Sequence, residues 1–180
     1  MKYLLIVTVA SVFTLFTAGC SKEMATSAEQ SSQSFTLSPA DNQTGVSTSS
    51  SVVLSLDKKI DPGTVRTNFH VISESSFDDP QMPGHSMMNH MTMMSAMDDE
   101  SVMEYMDSVH SLSGTFSWNS DSTVCTFDPD SMFAAGTQYM IHFDQPMVNM
   151  MEEEMGPMNG MMGTNGSAYR TGMAFQFTTK

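Results

Sequence analysis

Ser51-Val52-Val53-Leu54-Ser55-Leu56 is a short apolar run rich in β-branched residues, and Lys58-Lys59-Ile60-Asp61-Pro62 breaks it. A run of this length and composition, closed by Asp and Pro, reads as a β-strand. Segments of the same kind recur on both sides. Upstream lies Phe35-Thr36-Leu37-Ser38-Pro39, followed by a turn through Asp41-Asn42-Gln43-Thr44-Gly45-Val46. Downstream come Phe69-His70-Val71-Ile72, Gly114-Thr115-Phe116-Ser117-Trp118, Thr123-Val124-Cys125-Thr126-Phe127, Tyr139-Met140-Ile141-His142-Phe143 and Ala174-Phe175-Gln176-Phe177-Thr178. Seven short strands with Pro, Gly and Asp between them predict an all-β chain folded as a β-sandwich.

The first 34 residues stand apart from this pattern. Lys2 supplies a positive start, and Leu4 to Phe16 form an apolar stretch too short to span a bilayer comfortably. The stretch ends Leu15-Phe16-Thr17-Ala18-Gly19-Cys20, which resembles the lipobox of bacterial lipoprotein signal peptides. That resemblance implies a signal peptide over residues 1–19 and lipidation of Cys20. Each acyl CH2 buried in a membrane contributes about 0.8 kcal/mol, so several chains on one cysteine hold firmly. Ser21 follows, not Asp, which in proteobacterial lipoproteins points to the outer membrane, facing the periplasm. Residues 20–34 are rich in Ser, Ala, Thr, Gln and Glu and read as a lipidated cysteine on a flexible tether. Residues 35–180 then suffice for one domain. The formal charge of −13 disfavours nucleic acid and anionic headgroups as partners and attracts cations. With Cys20 acylated, Cys125 is left alone, so no intrachain disulfide is expected.

Methionine is distributed unevenly. Of 21 Met, nine lie between Met82 and Met106 and seven between Met147 and Met162. The first window also carries His85 and His90, in Met82-Pro83-Gly84-His85-Ser86-Met87-Met88-Asn89-His90-Met91-Thr92-Met93-Met94. Thioether sulfur suits Cu(I), imidazole suits copper in either common state, and a thioether binds without losing a proton. The windows sit in two long stretches between the predicted strands, at about 74–112 and 144–172. In the first, Val102, Met106 and Val109 recur at helical spacing behind the acidic turn Asp98-Asp99-Glu100, which predicts a short helix from about 97 to 110. In the second, Gly156, Pro157, Gly160, Gly163 and Gly166 predict an irregular path.

Ser38-Pro39-Ala40-Asp41, Gly45-Val46, Ile60-Asp61-Pro62-Gly63-Thr64-Val65 and Asn68-Phe69 resemble, in order, the SbsA-type bacterial Ig-like domain. Gly114-Thr115-Phe116, Thr126-Phe127-Asp128-Pro129, Gly136-Thr137-Gln138-Tyr139 and Phe175-Gln176-Phe177-Thr178-Thr179 extend the likeness. The resemblance implies an Ig-like β-sandwich of about seven strands, with Tyr139 as a tyrosine-corner residue whose hydroxyl bonds to nearby backbone. It implies a module of surface and secreted proteins and no particular activity. Ser38-Pro39-Ala40-Asp41 and the Met-rich loops are also similar to the periplasmic copper-resistance protein C (CopC) family. That likeness implies a preference for copper and no particular ligands, since the family's Cu(II) site uses an N-terminal His where this chain would present an acylated Cys20.

Several uses of the Met windows compete. Clustered Met and His suit Cu(I) or Ag(I), with Met82, His85, Met87, Met88, His90, Met91, Met93, Met94 and Met97 in one loop and Met147, Met150, Met151, Met155, Met158, Met161 and Met162 in the other. Met also fills core gaps, which accounts well for Met103, Met106, Met132 and Met140 but poorly for adjacent pairs such as Met87-Met88. A flexible apolar surface for protein partners and an oxidant sink are the other uses. Zinc lacks thiolates near His85 and His90, and the clusters Asp78-Asp79, Asp98-Asp99-Glu100 and Glu152-Glu153-Glu154 lack EF-hand spacing for calcium. His70 and His142, inside strands, read as structural; His110 reads either way; Cys125 reads as a buried, inert thiol. There is no Gly-x-Ser-x-Gly elbow, phosphate loop or dinucleotide fingerprint, so no enzyme is expected. The expectation is a lipid-anchored, periplasm-facing sandwich holding Cu(I) or Ag(I) for sequestration or delivery, with copper-handling or envelope proteins as partners. The alternative is a structural or adhesive envelope module whose Met loops bind proteins.

Overall fold

A computed structural model describes residues 35–84, 96–156 and 167–180. Two sheets face each other. The first has the order β1-β3-β6-β5, from β1 (Phe35–Ser38), β3 (Val52–Leu56), β5 (Gly114–Trp118) and β6 (Val124–Pro129), all antiparallel. The second has the order β2-β9-β7-β4, from β2 (Gln43–Val46), β4 (Phe69–Ser73), β7 (Gln138–Asp144) and β9 (Gly172–Thr179), with β8 (Ser167–Tyr169) also paired to β9. The seven expected strands are present, and β2 and β8 are added. β2 was expected as a turn because Gln43-Thr44-Gly45-Val46 has no apolar alternation: its first three residues are exposed. It is an edge strand held parallel to β9 by backbone pairing.

Alternation in β3 sends Val52, Leu54 and Leu56 inward and leaves Val53 and Ser55 half-buried. These meet Phe35, Phe69, Cys125, Phe127, Ile141, Phe143 and Phe175 in the main core between the sheets. β7 departs from simple alternation, since Tyr139 through Phe143 are all buried. Tyr139, Ile141 and Phe143 belong to the main core, whereas Met140 joins a second core on the opposite face of the same sheet. A strand covered on both faces reads as a continuous apolar run. The second core contains Ile72, Phe77, Met82, Met97, Val102, Met103, Met106 and Ala174. The layers are therefore sheet, main core, sheet, second core and helix.

Three α-helices lie wholly within the described residues. α1 (Pro62–Asn68) begins where the sequence marked only a break. The Asp61 carboxylate accepts from the Thr64 N–H at 2.7 Å and from its hydroxyl at 2.9 Å, and Pro62 opens the first turn. A capping Asp followed by Pro is a helix start, because Pro lacks only an N–H that the first turn leaves unused. α2 (Glu100–His110) agrees with the helix expected at about 97–110. Asp99 caps it through the N–H groups of Ser101 and Val102. Its buried residues are Val102, Met103 and Met106, while Val109, expected to share their face, is 56% exposed.

The expectation of an irregular second insertion fails over α3 (Gln145–Met155). Pro146 lies in its first turn, where Pro is compatible with a helix, and Gly156 ends it at φ 94°. The remaining glycines follow that stop, so they never opposed the helix. Met147, Val148 and Met151 face the main core.

Candidate functional site

Strand alternation and one turn of helix gather four ionisable side chains on the outer face of the second sheet. His142 and Asp144 are two residues apart in β7 and so share a face. His70 of β4 pairs directly across from His142, with ring centroids 6.3 Å apart. Asp107 comes from α2, four residues after Met103 and hence on the stripe that meets the sheet. His142 Nδ1 lies 3.0 Å from each Asp107 carboxylate oxygen and 3.1 Å from Asp144 Oδ1. His70 Nε2 is 3.5 Å from Asp144 Oδ2, and His70 Nδ1 is 3.2 Å from the Ser111 hydroxyl. The His142 side chain is 1% exposed and Asp144, at 27%, is the most open of the four. His70 Nε2, His142 Nε2 and Asp144 Oδ1 are buried without a hydrogen-bond partner.

Burial and charge oppose each other in this cluster. Burial pulls the His70 pKa down, but the carboxylates of Asp144 and Asp107 outweigh it, and the net shift is upward. Burial raises Asp107, against the pull of His142 and His70. The cluster lines a cleft of about 610 Å3 that also borders Thr67, Glu100, Glu104, Gln145, Arg170 and Thr171. His70, Asp107 and Asp144 can each offer a ligand atom within 4.8 Å of the others.

Six of the expected Met ligands are among the described residues, and none belongs to this cluster. Met82 and Met97 are 3% and 0% exposed in the second core, and Met147 and Met151 are both 0% exposed in the main core. Met150 and Met155 are half-buried against the main core. Among the residues expected as soft-metal ligands, these six have side chains that pack in or against the cores, Met147, Met150, Met151 and Met155 from helix α3 and Met82 and Met97 from the turns before α2. His85, Met87, Met88, His90, Met91, Met93, Met94, Met158, Met161 and Met162 lie outside the described residues, as does Cys20. Core packing was also expected of Met132, which is 74% exposed. Cys125 is 2% exposed and burial pushes its thiol up to about 12, which keeps it protonated and unreactive.

His110 is a clamp. Its Nε2 and the Tyr105 hydroxyl each lie 2.8 Å from Asp79 Oδ2, tying α2 to the segment after the short 3-10 helix at Glu74–Asp78. The backbone N–H of Gln81, then Tyr105 and His110, hold the Asp79 carboxyl below its usual range. Tyr139 accepts a 2.7 Å hydrogen bond from the Ala134 N–H, the corner contact that the sequence implied. Reasoning from the sequence missed Asp107 and Asp144 as partners of the two strand histidines. The signals were His142-Phe143-Asp144 at same-face spacing and an Asp on an otherwise apolar helix stripe.

Comparison with known proteins gives a match to the family described as bacterial Ig-like domain over residues 28–179. No curated protein matches the chain. Among solved structures, L,D-transpeptidase 1 of Mycobacterium tuberculosis is 15% identical at a TM-score of 0.34, covering 60% of this chain and 34% of that one. L,D-transpeptidase 3 of the same organism is 13% identical at 0.36, covering 80% and 35%. Domains 1–6 of surface layer protein SbsC are 10% identical at 0.36, covering 83% and 14%. The chain thus spans about a third or less of the length of each of these structures.

Proposed function

The chain belongs to the bacterial Ig-like domain family, and from that premise we propose that it serves as a non-catalytic binding module of the bacterial cell envelope. The burial of Met82, Met97, Met147 and Met151 carries this reading, because it assigns much of the unusual methionine to building a rigid scaffold. Anchoring through a lipidated Cys20 at the outer membrane, facing the periplasm, belongs to the same proposal. Fractionation tests it: the full chain should follow the membrane fraction and Cys20→Ser should leave it. Recovery of the unaltered chain in the cytosol would reject the envelope role.

A finer reading is favoured by one contact. The Thr171 hydroxyl donates a 2.6 Å hydrogen bond to the Met97 carbonyl, so described residues of the first insertion meet described residues of the second. On this reading the module carries Cu(I) or Ag(I) on His85, Met87, Met88, His90, Met91, Met93 and Met94 together with Met158, Met161 and Met162. Ten soft donors exceed what one ion needs, which suits buffering or delivery to copper-handling partners. Titration of the full chain with Cu(I) against a competing chelator tests it. A variant with Met→Leu and His→Ala at those ten positions should lose the binding. Equal affinity in both proteins would leave the envelope module bound to protein partners as the surviving reading.

A further inference from the structure

We propose that His70, Asp107 and Asp144 form a binding site for a single divalent transition-metal ion of the Zn(II) class, with His142 holding the two carboxylates in place. The site is built from residues other than those of the Met-rich windows and uses different chemistry.

Geometry comes first. Donors bound to one ion at about 2.1 Å lie roughly 3 to 3.5 Å from one another. His70 Nε2 and Asp144 Oδ2 are 3.5 Å apart, and ligand atoms from all three residues fall within 4.8 Å of each other. The approach of His70 to Asp144 is not a hydrogen bond, and both His70 Nε2 and Asp144 Oδ1 are buried without one. A buried polar atom lacking a partner costs free energy. An ion coordinated by His70 Nε2 and Asp144 Oδ2 would satisfy the imidazole nitrogen, while Asp144 Oδ1 faces His142 Nδ1 at 3.1 Å.

The imidazole is also set up for it. When His70 Nδ1 donates to the Ser111 hydroxyl at 3.2 Å, Nε2 carries the lone pair that faces Asp144. His142 Nδ1 reaches both oxygens of Asp107 at 3.0 Å and Asp144 Oδ1 at 3.1 Å, the kind of outer contact that orients carboxylate ligands.

Composition gives the same answer. Asp107 and Asp144 bring two carboxyl groups to one largely buried cluster, and a divalent cation is the partner two carboxylates call for. The cleft of about 610 Å3 gives an ion a route in; the exposed Glu104 beside it favours cations, while Glu100 pairs with Arg170 at 3.5 Å. One imidazole and two carboxylates without thiolate select a borderline divalent ion over Cu(I), and imidazole disfavours Mg(II) and Ca(II).

The experiment is titration of the metal-stripped full chain with Zn(II) by calorimetry, with Co(II) absorption as the report on ligand geometry. One Zn(II) per chain is expected at this site. His70→Ala and Asp144→Asn should each weaken binding by about 10- to 100-fold while circular dichroism shows the fold retained. Asp144→Asn is the decisive variant because that side chain is the most open of the cluster. The change His85→Ala with His90→Ala should leave this binding intact, which separates the site from the methionine segments. Undiminished binding in Asp144→Asn, or affinity weaker than about 1 mM in the unaltered chain, would overturn the proposal.

Discussion

Met151 and Met132 show how one residue type divides between two jobs. Met151 is wholly buried against the main core, whereas Met132 is 74% exposed. Truncating a buried Met leaves a cavity as well as losing transfer energy, so Met151→Ala should cost about 2–5 kcal/mol in urea denaturation. Met132→Ala should stay within about 0.5 kcal/mol. Met151→Leu nearly conserves volume and should cost under about 1.5 kcal/mol, which would identify packing, not sulfur chemistry, as the role. Tyr139→Phe removes the acceptor for the Ala134 N–H at a buried corner; a loss of about 1–3 kcal/mol is expected by the same measurement. Gly172 sits at φ 146° opposite Asp144, where a Cβ would run into the Phe143 carbonyl. Gly172→Ala should therefore destabilise by about 1–3 kcal/mol or more.

Helix α2 is specified at its start by Asp99 and along its length by the second core. Contacts from Ser101 and Val102 hold the Asp99 carboxyl below its ordinary value of 3.8. A carboxyl depressed in the folded state stabilises the fold above the unfolded pKa, and that contribution is lost as pH falls through the folded pKa. Asp99→Ala should thus be less stable than the unaltered chain at neutral pH, and the gap should close below pH 3.8. Urea midpoints of both proteins across that range check it; a gap independent of pH would mean that the charge of Asp99 plays no part. The helix was legible because an acidic turn preceded a 3.6-residue apolar period. Its exact face was not: Met103 turns inward and Val109 outward, since the sheet beneath it decides which residues of the stripe find partners. α3 was missed for a different reason. The glycines that suggested irregularity lie at and beyond its end, and they outweighed the i, i+4, i+8 recurrence of Met147, Met151 and Met155 that marks the helix.

In the whole molecule, β7 is the common wall of both cores. It pairs with β4 on one side and β9 on the other, and five consecutive residues are buried. Its amides have no exposed edge through which to open, so hydrogen exchange there should require global unfolding. Amides of α2 cover only one face and should exchange through a smaller opening that releases the second core. Equal protection in α2 and β7 would mean that the two cores melt as a single unit.

The strand pattern alone determined a β-sandwich, because alternation of apolar residues leaves a strand only one way to bury them. Sequence also marked the insertions, the helix over residues 100–110 and the tyrosine corner. Only the tertiary structure decided which methionines are scaffold, since thioethers serve a core and a metal equally well and nothing local separates the two. It alone brought His70, Asp107, His142 and Asp144 together, because three elements distant in the chain must pack before their charges can meet.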